Sequence, residues 1–107
     1  MWRSWPITNV KKVMRFGHFH PGVTLKDELA ARDMTAAALA LKFRVPPQRL
    51  HEIVRGDRAI TPETALRLAR YLGNESEFWL NLQVQYDLAQ LRKAKGAQIA
   101  REVDTAD

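Results

Sequence analysis

The sequence predicts an all-α fold of five helices, with a basic arm at residues 1–21, a helical domain over 22–95 and a polar tail at 96–107. Three observations predict it. From Leu25 onward, apolar residues recur at spacings of three and four, the period of an α-helix. Helix punctuation falls between those runs, with starts at Thr35, Thr61-Pro62-Glu63 and Ser76-Glu77 and stops at Gly56 and Gly73. No segment carries a strand signal.

Taken in order, Thr24 followed three residues later by Asp27 resembles a capping box, and Leu25 and Leu29 share a face, which predicts a first helix to about Arg32. Thr35 caps a second helix whose Leu39, Ala40 and Phe43 make one stripe. Val45-Pro46-Pro47 ends it, because proline lacks a donor and pushes its predecessor out of helical space. Pro47 then suits the first position of a third helix, where the missing N–H is no loss, and Gly56 closes it. In the fourth helix Ala65, Leu66, Ala69 and Leu72 form the expected apolar face, ended by Gly73. The fifth runs from Ser76 to about Lys95 before Gly96, and the last ten residues are expected to fray. Residues 1–21 show no sustained periodicity and read as a flexible arm.

At 107 residues the chain suffices for one domain, burying roughly two-thirds of its unfolded surface. The net charge is +5, and its distribution says more than its size. Residues 1–20 carry Arg3, Lys11, Lys12 and Arg15 with no acid, whereas residues 74–107 carry four bases and six acids. A polyanionic partner is therefore expected on the first half. The absence of cysteine excludes disulfides and thiol nucleophiles and fits a reducing cytoplasm. No apolar run approaches the ~20 residues of a membrane span, nor that of a secretory signal, so no membrane partner is expected.

The second and third helices, joined at Arg44–Pro46, form a helix-turn-helix pattern. Ala40 is small at the crossing, and Phe43, Val45, Leu50 and Ile53 lock the pair. With Leu50 at zero and about 100° per residue, Ile53 falls near 300° and Val54 near 40°, so the buried arc centres on Leu50. Gln48, Arg55 and Glu52 fall opposite, near 160°, 140° and 200°, flanked by His51 and Arg49. Amide, guanidinium, carboxylate and imidazole groups on one exposed face are those that read base edges in a major groove. Arg49 or Arg55 suits guanine, and Gln48 suits adenine. Glu52 either accepts from cytosine or pairs with Arg49 and Arg55 along its own helix. Pro46 offers no side-chain cap, so the N–H groups of Gln48 and Arg49 are expected free for a phosphate. The candidate DNA-binding residues are Thr35, Pro47, Gln48, Arg49, His51, Glu52, Arg55 and Arg58. Against this stands an ordinary helical hairpin with a solvated charged face.

The fifth helix carries two apolar stripes, Trp79, Leu82, Tyr86 and Ala89 beside Leu80, Val84, Leu88 and Leu91. That arc is wider than a monomer helix needs, so one stripe is expected inward and one toward a second copy. Trp79, Leu80, Val84, Leu88 and Leu91 are the candidate dimerisation residues. A two-fold dimer presents two recognition helices about 34–36 Å apart, matching an inverted repeat in double-stranded DNA. His18, His20 and His51 fit no metal-ligand spacing, and no catalytic set or phosphate loop is present. Neither metal, cofactor nor catalysis is expected.

These residues also carry a resemblance. His20-Pro21-Gly22, Leu25-Lys26, Arg49 to Ile53, Gly56 to Pro62, Thr64 to Ala69 and Glu77 to Gln83, in that order, resemble the HigA family of antitoxins, within the phage-repressor-like helix-turn-helix superfamily. The likeness covers about residues 20–91. It implies a dimeric five-helix DNA-binding domain that represses its own operon and neutralises a cognate RNase toxin, a RelE-like mRNA endonuclease. This chain departs from the general helix-turn-helix pattern at Ala36, where many members place a phosphate-binding glutamine, at Arg44, where a turn glycine is usual, and at Pro46, where Ser or Thr commonly caps the recognition helix. Two other functions fit the pattern. One is a solitary repressor without a toxin; the other is a protein-interaction module that hardly touches DNA.

Overall fold

The computed structural model describes residues 19–106 and contains five helices there: α1 (Pro21–Ala31), α2 (Ala36–Phe43), α3 (Pro47–Arg55), α4 (Pro62–Leu72) and α5 (Ser76–Glu102). The flexible arm expected at the N-terminus falls almost wholly on residues 1–18, outside the described residues. No helix among the described residues is long and apolar enough to cross a membrane.

Local chemistry sets most of the boundaries. Thr35 and Thr61 cap α2 and α4, accepting from the Ala38 and Thr64 N–H groups at 3.0 and 3.3 Å. Pro47 and Pro62 occupy first turns, and Gly56 and Gly73 stop α3 and α4 in left-handed conformations at φ +85° and +80°. Arg44 takes the same conformation at φ 60°, ψ 44° where a glycine would be usual. A side chain there costs roughly 1–2 kcal/mol. In return Arg44 and Val45 donate their N–H groups to the Leu41 and Ala40 carbonyls, which closes α2.

Three expectations are corrected. Thr24 does not cap α1. The helix begins at Pro21, and His20 is the cap, its Nδ1 accepting from the Gly22 N–H at 2.9 Å. Thr24 is instead buried inside the helix. In α4 the inward face is Thr64, Ala65, Leu68 and Leu72, while Leu66 is 63% exposed. The inward arc lies one position round from the expected stripe, because α4 faces α5 and α2 at once. Finally, α5 does not stop at Gly96 but continues to Glu102. One glycine costs a helix only about 0.5–1 kcal/mol. The flanking Arg92-Lys93-Ala94-Lys95 and Ala97-Gln98-Ile99-Ala100-Arg101 favour the helix, and no proline follows.

The core is one cluster to which every helix contributes: Leu25 and Leu29, Leu39, Ala40 and Phe43, Leu50 and Ile53, Ala65, Leu68 and Leu72, and Phe78, Trp79 and Leu82, with Ile60 from the α3–α4 loop. Three long-range devices hold the helix-turn-helix within it. Gly22 brings α1 so close to the end of α3 that a Cβ there would overlap the Ile53 carbonyl. Arg67 of α4 donates through Nη1 to the Phe43 carbonyl at 2.7 Å, satisfying an orphan acceptor at the end of α2. Buried Gln83 of α5 accepts the Ile60 N–H at 2.8 Å and pins the α3–α4 loop.

Candidate nucleic-acid interface

The packing of α3 decides which of its residues face outward. Leu50 and Ile53 are fully buried and Val54 is partly buried, so the opposite arc projects from the protein. Gln48, His51 and Arg55 lie exposed on it, with Arg49 and Glu52 partly covered at its flanks. The two helices are distinct, separated by the left-handed Arg44, and Gln48, His51 and Arg55 on the polar arc stand in the open.

The side chains on this face are largely tied to one another. Glu52 is the hub: its Oε2 accepts from Gln48 Nε2 at 2.9 Å, its Oε1 accepts from Arg58 Nε at 2.7 Å, and Arg58 Nη2 makes the ion pair with the same oxygen at 2.6 Å. Hydrogen bonds from Gln48 and then Arg58 hold its carboxyl below the ordinary value, so it is a carboxylate near neutral pH. Of the two expected roles for Glu52, ion pairing is present, but the partner is Arg58 from the loop rather than Arg49 or Arg55. Arg49 turns toward Glu63 at 3.7 Å, and Arg55 pairs with Asp57 at 3.1 Å. Both are exposed pairs of the kind worth about 0–1 kcal/mol, which a phosphate or a guanine edge can displace.

Around this hub lie the remaining candidates. Thr35 caps α2 with its oxygen as acceptor, which leaves its O–H to donate. Pro47 is exposed at the start of α3. Only one of the two backbone donors expected there is open, because the Arg49 N–H returns to the Pro46 carbonyl at 3.1 Å. Among the described residues no cluster of His, Asp or Glu has a metal-binding arrangement.

Behind the face, His20 joins three elements. It caps α1, stacks edge-on against Tyr86 of α5 at 5.2 Å, and hydrogen-bonds the Arg58 backbone beside Gly56. Burial pushes its pKa below 6.5, outweighing that hydrogen bond and the nearby Asp87 and Asp57. His20, Arg67 and Gln83 are not among the candidate DNA-binding or dimerisation residues, although each lies in a motif of the family resemblance and His20-Pro21-Gly22 marks the entry to the first helix. The i,i+4 spacing of Glu63 and Arg67 was visible, but the reach of Arg67 to Phe43 is a tertiary fact.

The candidate dimerisation residues divide. Trp79 is fully buried in the protomer's own core, so it has no surface to offer a second copy. Its stripe lies inward with Leu82, because α5 crosses α4 through its first two turns. Leu80 is half-buried, and Val84, Leu88 and Leu91 are 50%, 37% and 48% exposed.

Two short helices locked at a tight turn, the second presenting a polar outward face, define a helix-turn-helix protein. The family model described as Helix-turn-helix matches residues 25–80. The chain is 47% identical over 77 residues to Virulence-associated protein I of Dichelobacter nodosus, covering 71% of each. Among solved structures it is similar to an addiction module antidote protein of the HigA family from Coxiella burnetii, with TM-score 0.81, 44% identity, and 82% of this chain and 97% of that one covered. It is equally similar in fold to the Pseudomonas aeruginosa antitoxin HigA with the higBA promoter, with TM-score 0.81, 40% identity, and 83% and 98% covered. The chain therefore belongs to the HigA family of helix-turn-helix antitoxins.

Proposed function

We propose that this protein is a DNA-binding antitoxin that represses its own operon as a homodimer and neutralises a RelE-like mRNA endonuclease. The observation that carries the DNA-binding part is the outward face of α3, where Gln48, His51, Glu52 and Arg55 stand opposite fully buried Leu50 and Ile53. The likeness to an antitoxin solved with its promoter supports the same reading. For the dimer, support comes from Val84, Leu88 and Leu91, exposed in a row along a helix whose buried residues end at Gln83.

The test is a mobility shift on the DNA upstream of this gene at two salt concentrations. Tight binding whose logarithm falls steeply with log salt is the expected result. No retardation at low salt would leave an interaction module instead. Co-expression with the adjacent reading frame tests the toxin: a stable complex is expected, and its absence would leave a repressor with no toxin.

A further inference from the structure

Glu52 sits oddly on a surface meant for a polyanion. A carboxylate there is repelled by phosphates unless its charge is matched and its oxygens are used. The charge is matched from outside the helix. Arg58 reaches back from the α3–α4 loop, donates from Nε to Oε1 at 2.7 Å and sets its charged Nη2 2.6 Å from the same oxygen, while Gln48, one turn earlier on α3, holds Oε2 at 2.9 Å. The carboxylate is thus fixed from two sides, with its side chain still 24% exposed. A carboxylate has about four acceptor positions, so a further hydrogen bond can form.

We propose that Arg58 is a positioning residue that presents the Glu52 carboxylate as the acceptor for the exocyclic amino group of a cytosine in each half-site. This rests on the DNA-reading function above. The base follows from the chemistry of the groove. Cytosine offers only its N4 amino donor there, whereas adenine sets N7, an acceptor, beside its amino group, and guanine and thymine offer only acceptors or a methyl. The guanidinium of Arg58 offsets the repulsion between the carboxylate and the phosphates, so Glu52 can approach the base.

The experiment incubates the full chain with a duplex library randomised over about two helical turns, the span of paired half-sites, and sequences the bound pool. It compares wild type with Glu52→Gln, Arg58→Ala and Arg58→Lys. Wild type is expected to enrich a motif with one cytosine column per half-site. That preference should fall roughly tenfold or more in Glu52→Gln, since a carboxylate-to-cytosine contact discriminates by about that much. It should fall likewise in Arg58→Ala and return in part with Arg58→Lys. If Arg58 served only a phosphate, Arg58→Ala would weaken all sequences evenly and leave the column intact. That result overturns the positioning role, and an unchanged column in Glu52→Gln overturns the reading role. A wild-type pool with no enriched sequence would instead sink the DNA-reading function itself. Thermal melts check folding, and all three variants should melt close to wild type because Arg58 is exposed and Glu52, partly covered, touches no core residue's side chain through its carboxylate.

Discussion

The two glycines at positions 22 and 96 should respond to the same substitution with opposite sign. At Gly22 an added Cβ would lie 2.9 Å from the Ile53 carbonyl carbon and closer still to its oxygen. The obstacle is backbone, so no rotamer change relieves it. Either α1 or the end of α3 must move, and overpacking of this kind costs about 1–3 kcal/mol. At about 4–8 °C per kcal/mol for a domain of this size, the melting temperature should fall by roughly 5–20 °C. The Ile53 carbonyl also accepts the Gly56 N–H at 3.0 Å, so the clash strikes the cap of the recognition helix. At Gly96 the nearest atom is the Arg92 Cβ at 3.9 Å, an ordinary contact in a helix interior. Alanine there should strengthen α5 by about 0.5–1 kcal/mol, seen as slower hydrogen exchange across residues 92–102. Circular-dichroism melts of Gly22→Ala and Gly96→Ala are the assay. A Gly22→Ala protein that melts with wild type would refute the close approach of α1 to α3.

Three further outcomes are expected. Arg49→Ala and Arg55→Ala should each weaken operator binding, by about 5-fold or more if the residue reads a base, with helicity unchanged; unaltered affinity in both would mean another face meets the DNA. Leu88→Asp places a charge in the exposed stripe of α5 and should give a monomer in light scattering, whereas a two-fold mass would remove this stripe from the interface. His20 has its pKa lowered from 6.5 by burial, so the unfolded chain takes up the proton first and stability is complete above 6.5 and declines as pH falls below it. Protonation also removes the Nδ1 acceptor that caps α1, so His20→Asn, a non-titrating cap, should flatten the fall in denaturation midpoint below pH 6.5; a slope equal to wild type would show that another group controls it.

The outward face of α3 was legible in the sequence because it depends on one helix. The spacing of Leu50, Ile53 and Val54 sets which way α3 turns, and the opposite arc follows from geometry alone. The pairing on that face was not. The expectation for Glu52 looked along the helix to Arg49 and Arg55, but those turn to Glu63 and Asp57, and Arg58 comes round the Gly56 turn to take its place. Likewise Thr24 had the residue type of a cap, and His20 became one because Pro21 fits the first turn and α1 must meet α3 at Gly22.

The amino-acid order by itself determined the five helices of the described residues, the turns between them and the outward arc of α3, since caps, prolines, glycines and 3.6-residue spacing act within a few positions. Tertiary structure alone decided that Trp79 is core, that Leu66 is surface, that Arg67 closes α2 and that Arg58 holds Glu52. Those outcomes depend on how helices far apart in the chain cross, and a side chain's partner across such a crossing is set by the combined geometry of both elements.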